Sequence, residues 1–71
     1  MTEAEAARVQ IGSLVQFTHI GRHKTDESQG LVVGGIRLSG GGRPYADIYW
    51  FDGTSHGTHP LLHSNLSLIS A

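Results

Sequence analysis

Histidine is the residue type whose spacing first suggests chemistry in this chain. His56, His59 and His63 follow one another at intervals of three and four residues. Imidazole is a good ligand for Zn, Ni and Cu, so three rings could hold a metal ion and leave one position open. An extended strand, however, sends residues three apart to opposite faces, and no carboxylate lies between these histidines to orient their rings. The pattern therefore favours surface or interface histidines over a metal site, and no cofactor is expected.

A hydrolytic triad and a phosphate loop are two further arrangements that the residue types permit. Asp52, Ser55 and His59 could be drawn as a triad, but the sequence has no strand–nucleophile–helix elbow and no oxyanion site. The glycine triplet at positions 40–42 leads into Arg43 and a strand, whereas a phosphate loop leads into a helix N-terminus. We therefore predict that the protein is not an enzyme.

Basic and aromatic side chains together suggest a nucleic-acid surface. The candidate contacts come from two stretches of the chain: Arg22, Lys24, Arg37 and Arg43. Tyr45 and Tyr49 could act as platforms on which bases stack. Acidic residues interleave with the basic ones, and the formal net charge is −1 with the histidines neutral, which is not the basic balance of a general nucleic-acid binder. An aromatic cage for methylated Lys or Arg is weaker still, because a cage draws its aromatics from several strands.

The stretch from Pro44 to Gly53 contains four of the five aromatic residues. Its aromatic and β-branched character predicts a strand, and Asp52-Gly53 suits a tight hairpin turn. Alternation places Ala46, Ile48 and Trp50 toward the core. The opposite face is more aromatic than a solvated face requires, which predicts a partner-binding surface. The residues predicted for that surface are Tyr45, Tyr49, Phe51 and Leu14.

The flanking sequence predicts four more strands around this central one. They are expected at 11–18, 30–38, 54–59 and 66–70, with a long polar loop over 19–29 and a helical turn over 60–65. Gly34-Gly35 predicts a bulge or bend. Thr2 and Glu5 have capping-box spacing, so residues 1–10 are expected to form a flexible arm or a short helix. Residues 11–71 are expected to form a single small β-barrel.

Size and composition exclude several classes of protein. The 71 residues are enough for one domain, and the absence of cysteine excludes disulfides and a Cys-type zinc site. No apolar run is long enough to cross a bilayer, and residues 1–7 lack the features of a signal peptide. We therefore expect no membrane partner and, by default, a cytoplasmic location.

The order of these elements resembles the SH3-like small barrels, the class that includes KOW and Tudor modules. The resemblance rests on four short stretches: Ile11-Gly12-Ser13-Leu14-Val15, Gly30-Leu31-Val32, Ile48-Tyr49-Trp50-Phe51-Asp52-Gly53, and Pro60-Leu61-Leu62 before Leu66-Ser67-Leu68-Ile69. The pattern is also similar to short SH3-like proteins encoded by tailed bacteriophages, whose hairpins often carry a V-x-W-F-D-G type sequence. The first resemblance implies an all-β, five-stranded SH3-like barrel with one helical turn before the last strand and a short N-terminal arm.

The resemblance also implies a role, although one fold serves many functions. The phage-like pattern implies a non-catalytic assembly protein of a virion, such as a capsid decoration, connector or tail component. Such a protein would dock through its outer aromatic face and N-terminal arm onto another protein or onto its own copies. The likeness to KOW and Tudor modules implies the alternative of a nucleic-acid-binding or regulatory module.

Overall fold

A single antiparallel sheet dominates the computed structural model, which describes residues 1–51 and 56–71. Strands contain 51% of the residues and helix 6%, which confirms the all-β prediction. The elements are α1 (Glu3–Ala6), β1 (Leu14–Ile20), β2 (Thr25–Val32), β3 (Arg37–Leu38), β4 (Pro44–Trp50), β5 (His56–Pro60) and β6 (Leu66–Ser70). No helix within the described residues is long and apolar enough to cross a membrane.

The strand β4 pairs with three other strands, more than any other described strand. One edge carries β2 and β3, and the other carries β5. On the far side of β2, β1 pairs with β2 and then with β6, which gives the order β3-β4-β2-β1-β6. The described residues therefore form six strands, whereas the sequence predicts five.

The additional strand arises because the predicted strand over 30–38 is divided into β2 and β3. The break spans residues 33–36 and includes the two glycines that predict a bend. At Gly34 a Cβ atom would lie 2.8 Å from the Asp47 carboxylate on β4, so the chain passes too close for a side chain at this point. Both segments still pair with the same edge of β4 and form one bent strand path.

The β1–β2 hairpin shows that the predicted long loop over 19–29 is wrong. β1 continues to Ile20 and β2 begins at Thr25, so only residues 21–24 connect them. The Gly21 N–H donates to the Lys24 carbonyl at 2.8 Å and closes the turn. The start of β1 was also misplaced: Ile11 lies in a turn and is 65% exposed. The polar end of the hairpin lacks the apolar alternation by which strands are recognised in a sequence.

The segment before the last strand does not form the predicted helical turn. Pro60 is the last residue of β5, and residues 61–65 form turns that lead into β6. The Leu66 N–H donates to the His63 carbonyl at 3.1 Å. Pro60 fits in β5 because this strand lies at an edge of the sheet, where a missing N–H breaks no ladder bond. The predicted Asp52-Gly53 turn and the predicted strand residues Thr54 and Ser55 lie outside the described residues.

The core lies on one face of the sheet and includes the N-terminal segment. Fully buried strand residues come from four strands and include Ala46 and Ile48, as the alternation of β4 predicts. Met1, Ala6 and Val9 are also buried and join the same cluster. The backbone nitrogen of Met1 donates to the carbonyls of Leu61 and His63, which attaches this segment to the turns before β6. The N-terminal residues therefore cover the inner face of the sheet.

The predicted capping box is present at the start of α1. The Glu5 N–H donates to the Thr2 hydroxyl at 3.2 Å, and the Thr2 N–H donates to the Glu5 carboxylate at 3.1 Å. The bond from the Thr2 N–H is the main reason that the pKa of Glu5 lies below its ordinary value. The backbone amide of Leu68 on β6 lowers this pKa further, while desolvation opposes both effects.

Candidate interaction surface

A continuous row of apolar side chains crosses the outward face of the sheet. The register places Tyr49 on β4 opposite Leu31 on β2, and Leu31 opposite Leu14 on β1. Side chains directly opposite one another on neighbouring antiparallel strands lie in contact range on the same face. Phe51 extends the row, since its ring centroid lies 6.0 Å from that of Tyr49. We call these four residues, Leu14, Leu31, Tyr49 and Phe51, the outer apolar row.

Exposure increases toward the β4 end of the outer apolar row. Leu14 and Leu31 are half-buried, Tyr49 is 38% exposed and Phe51 is 50% exposed. Ile69 on the outermost strand β6 is 48% exposed, but it lies where the pairing of β1 with β6 shifts register, so the register does not place it in the row. Among the described residues, the outer apolar row therefore faces outward and is not covered by α1.

Tyr45 lies in a different environment from the other three predicted partner-binding residues. The Arg37 guanidinium carbon lies 5.1 Å from the centroid of the Tyr45 ring. The same guanidinium donates to both carboxylate oxygens of Asp47 at 3.1 Å. Because Asp47 stands between Tyr45 and Tyr49 along β4, this ion pair interrupts the outer face. The structure brings Leu14, Tyr49 and Phe51 together and separates Tyr45 from them.

The four basic residues predicted for nucleic-acid contact do not form one patch. Arg22 and Lys24 lie in the β1–β2 turn, whereas Arg37 is on β3 and Arg43 lies in the β3–β4 connection. The turn and the connection lie at opposite ends of the strand path formed by β2 and β3. Lys24 is also paired with Asp26 at 3.6 Å, as Arg37 is with Asp47. A continuous positive track, on which sequence-independent binding depends, is therefore not formed by these four residues.

The three histidines at positions 56, 59 and 63 are divided between two faces of the sheet. His56 pairs with Tyr49 on the outer face, whereas His59 pairs with Ala46 on the inner face. The expected separation of His56 from His59 is thus confirmed. Among the described residues, no group of three or more His, Asp or Glu side chains could hold a metal ion. Asp52 and Ser55, the other members of the triad considered above, lie outside the described residues.

Phe17 is the centre of an aromatic–histidine cluster on the inner face that the sequence did not indicate. Its ring centroid lies 4.8 Å from that of His19, 5.2 Å from His59 and 5.0 Å from His63. Trp50 packs edge-on against Phe17 at 6.4 Å. His19 also lies within hydrogen-bonding distance of a buried serine hydroxyl on β2. These contacts join residues far apart in the chain, so no local pattern could reveal them.

Backbone hydrogen bonds hold two of the clustered rings in place. The Nδ1 of His59 lies 2.7 Å from the Pro60 carbonyl and must carry the proton of that bond. The Nδ1 of His63 accepts from the Asn65 N–H at 3.1 Å and is therefore unprotonated in that bond. The two rings lie 5.8 Å apart, edge to face. The two histidine rings are therefore held in place where they pack against Phe17 on the inner face.

Comparisons with known proteins give no match: no family model, no curated protein and no solved structure matches this chain. A function for this chain is therefore inferred from the surface of the molecule and from the resemblance of its sequence pattern.

Proposed function

We propose that this chain is a non-catalytic assembly module that docks through the outer apolar row onto another protein or onto a second copy of itself. The observation that carries the proposal is the exposure of Phe51 and Tyr49, side by side, at the end of an apolar row that continues through Leu31 to Leu14. Contiguous exposed apolar patches mark interaction sites, and aromatic side chains supply much of the binding energy at such sites.

We propose further that the sheet is a variant of the SH3-like barrel. Counting β2 and β3 as one bent strand leaves five strand paths, which is the number that the resemblance implies. The bend at residues 33–36 supports this proposal, because small barrels need sharp bends for closure. The likeness to short phage-encoded SH3-like proteins makes a virion subunit our proposed partner: a capsid, connector or tail protein.

The buried residues of the N-terminal segment do not contribute to the proposed docking surface. Met1, Ala6 and Val9 are buried against the inner face, so they are not available to a partner in this conformation. We therefore assign docking to the outer face of the sheet, because these residues cover the inner face.

Affinity isolation from the native source, with nuclease treatment and mass spectrometry, tests the proposal. Three tagged forms are compared: the unchanged protein, Tyr49→Ala with Phe51→Ala, and a control with Ile20→Ala and Leu38→Ala. The control also removes two exposed apolar side chains, which are 72% and 67% exposed and lie outside the outer apolar row. We expect the unchanged and control proteins to recover the same partner in a fixed ratio, and the row variant to lose it.

Two outcomes would overturn the proposal. If the row variant retains the partner as well as the control does, the outer apolar row is not the docking surface. If nuclease treatment releases every partner, the KOW/Tudor-like alternative of nucleic-acid binding becomes the leading function, and the basic residues replace the row as the candidate contacts.

A further inference from the structure

Arg43 differs from the neighbouring arginine because its guanidinium is free. Arg37 is paired with Asp47 and stacked on Tyr45. Within residues 1–51 and 56–71, the Arg43 side chain has no hydrogen-bond or ion-pair partner. Its backbone is bonded to Ser39 in both directions: the Arg43 N–H donates to the Ser39 hydroxyl at 3.2 Å, and the Ser39 N–H donates to the Arg43 carbonyl at 2.9 Å. The backbone of Arg43 is held by Ser39, and its unpaired guanidinium is available to an anionic group of a ligand.

A recess of about 320 Å³ lies beside this guanidinium. Its walls include the ring of Tyr45, both prolines of the chain and the hydroxyl residues Ser39 and Thr58. None of the described residues that line it is acidic. His59 also lines the recess, which therefore combines one positive charge with apolar surface from Tyr45 and the two prolines and with polar groups from the remaining residues. This combination suits a carboxylate attached to a short apolar group.

The open edge of β5 supplies backbone hydrogen-bonding groups next to the recess. The Leu61 N–H donates to the Pro44 carbonyl, so in this antiparallel register His59 and Gly57 direct their backbone groups toward β4. Thr58 then directs its N–H and C=O away from β4, and β5 pairs with no other described strand. Pro60 cannot extend this pairing, because it has no N–H and its carbonyl is bonded to His59. A short extended segment could therefore pair at Thr58, and Pro60 ends this pairing toward the C-terminal end of β5.

We propose that this recess binds an acidic peptide segment of a partner protein, with the carboxylate of an Asp or Glu on Arg43 and an adjoining apolar residue against Tyr45 and Pro44. The peptide backbone pairs with Thr58 on β5, in the manner of strand addition. A nucleic acid fits this site less well, since one free cation with apolar walls offers no track for successive phosphates. The proposal rests on the proposed assembly function and deepens it, because it gives the chemistry of one partner segment.

The test uses two blocked tripeptides as probes and the full ¹⁵N-labelled chain. N-acetyl-Leu-Asp-Leu-amide is compared with N-acetyl-Leu-Asn-Leu-amide, which has the same shape without the charge, by following backbone amide resonances during titration. We expect the Asp peptide to shift the amides of Gly42, Arg43 and Thr58 and to bind about tenfold more tightly than the Asn peptide, as expected for one charge-assisted contact.

Matched variants locate the contact and separate the two proposals. Arg43→Gln should weaken binding of the Asp peptide about tenfold, while Arg22→Gln, which removes an exposed arginine at the other end of the strand path, should leave it unchanged. Amide resonances elsewhere report whether each variant is folded. The variant Tyr49→Ala with Phe51→Ala should bind the peptide normally. The peptide titration therefore tests only the recess, and the affinity isolation tests only docking through the outer apolar row.

Several outcomes would overturn the inference. One is that the Asp and Asn peptides bind equally tightly. Another is that Arg43→Gln and Arg22→Gln change peptide binding equally. A third is that the amide resonances show no saturable shift at millimolar peptide. Stronger competition by a single-stranded oligonucleotide than by the Asp peptide would reassign Arg43 to phosphate binding.

Discussion

The two faces of β4 have opposite environments although their residues alternate along one strand. Ala46 and Ile48 are fully buried on the inner face, while Tyr49 and Phe51 on the outer face are 38% and 50% exposed. Both faces are apolar, so hydrophobicity alone does not distinguish them. The difference is that, among the described residues, other parts of the chain cover only one of them.

The cover on the inner face comes from both ends of the fold. Met1, Ala6 and Val9 reach it from the N-terminal segment, and Leu61 and Leu66 reach it from the region of β6. No described element covers Phe51 in the same way. The inner face should therefore determine folding stability, and the outer face should be free to bind a partner. Substitutions ordered by their expected cost test this division.

The largest effect is expected for Ile48→Ala. Ile48 is fully buried, so its truncation leaves a cavity and should lower the free energy of unfolding by about 2–5 kcal/mol. That is a large part of the roughly 5–15 kcal/mol that stabilises a typical domain. Urea denaturation followed by tryptophan fluorescence measures it, with Tyr49→Ala, the next residue along β4, as the control. Equal losses for the two variants would contradict the division between the faces.

A smaller loss is expected for Gly30→Ala, because β2 passes close to the inner face of β4. A Cβ atom at Gly30 would lie 2.7 Å from the Ile48 side chain and 2.8 Å from that of Trp50. Such overpacking costs about 1–3 kcal/mol of stability. Gly57→Ala is the matched control, since Gly57 flanks Ile48 on β5 and a Cβ there meets nothing within 4 Å. Thermal melting of both variants is the measurement, and an unchanged Gly30→Ala protein would argue against this close packing.

Thr2→Ala tests how firmly the N-terminal segment holds its place over the inner face. The substitution removes the hydroxyl that accepts from the Glu5 N–H and should cost about 0.5–2 kcal/mol, the usual range for a lost N-cap. Thr2→Ser keeps the hydroxyl and serves as the control. Denaturation midpoints compare the two, and a loss shared by both would show that the cap hydroxyl is not responsible.

Glu5 should make the stability of this cover depend on pH. Its folded-state pKa is lowered, chiefly by the Thr2 N–H, so its ionisation stabilises the fold above the unfolded-state pKa. This contribution is lost as the pH falls through the lowered folded-state pKa. The stability advantage of the unchanged protein over Glu5→Gln, which keeps a capping-box residue, should therefore shrink on acidification. Melting temperatures across the acid range measure it, and a constant difference would contradict the prediction.

The parts of this fold that were predictable from sequence depend on local patterns. The alternation of β4 predicted the buried Ala46 and Ile48, and the spacing of Thr2 and Glu5 predicted the capping box, because both signals lie within one element. Pro60 illustrates the limit: proline is compatible with the first turn of a helix and with an edge strand, and only the pairing with β4 decides between them.

The candidate surface was predictable only in part, because it depends on contacts between distant residues. Leu14, Tyr49 and Phe51 were placed on the outer face by alternation along their strands. Tyr45 is separated from Tyr49 and Phe51 by the ion pair between Arg37 and Asp47. These two residues lie ten positions apart in the sequence and on different strands, β3 and β4. A residue pattern along one strand contains no information on such an ion pair.

The smallest change in stability is expected for Tyr49→Ala combined with Phe51→Ala. Exposed substitutions usually change stability by about 0.5 kcal/mol or less, and a cross-strand pair such as Tyr49 with Leu31 adds about 0.2–1 kcal/mol. Urea denaturation of the isolated protein measures this change apart from any partner. A loss comparable to that of Ile48→Ala would mean that the outer apolar row stabilises the fold itself. A near-native midpoint combined with lost docking would mean that the exposed aromatic surface is kept for binding, since folding does not require it.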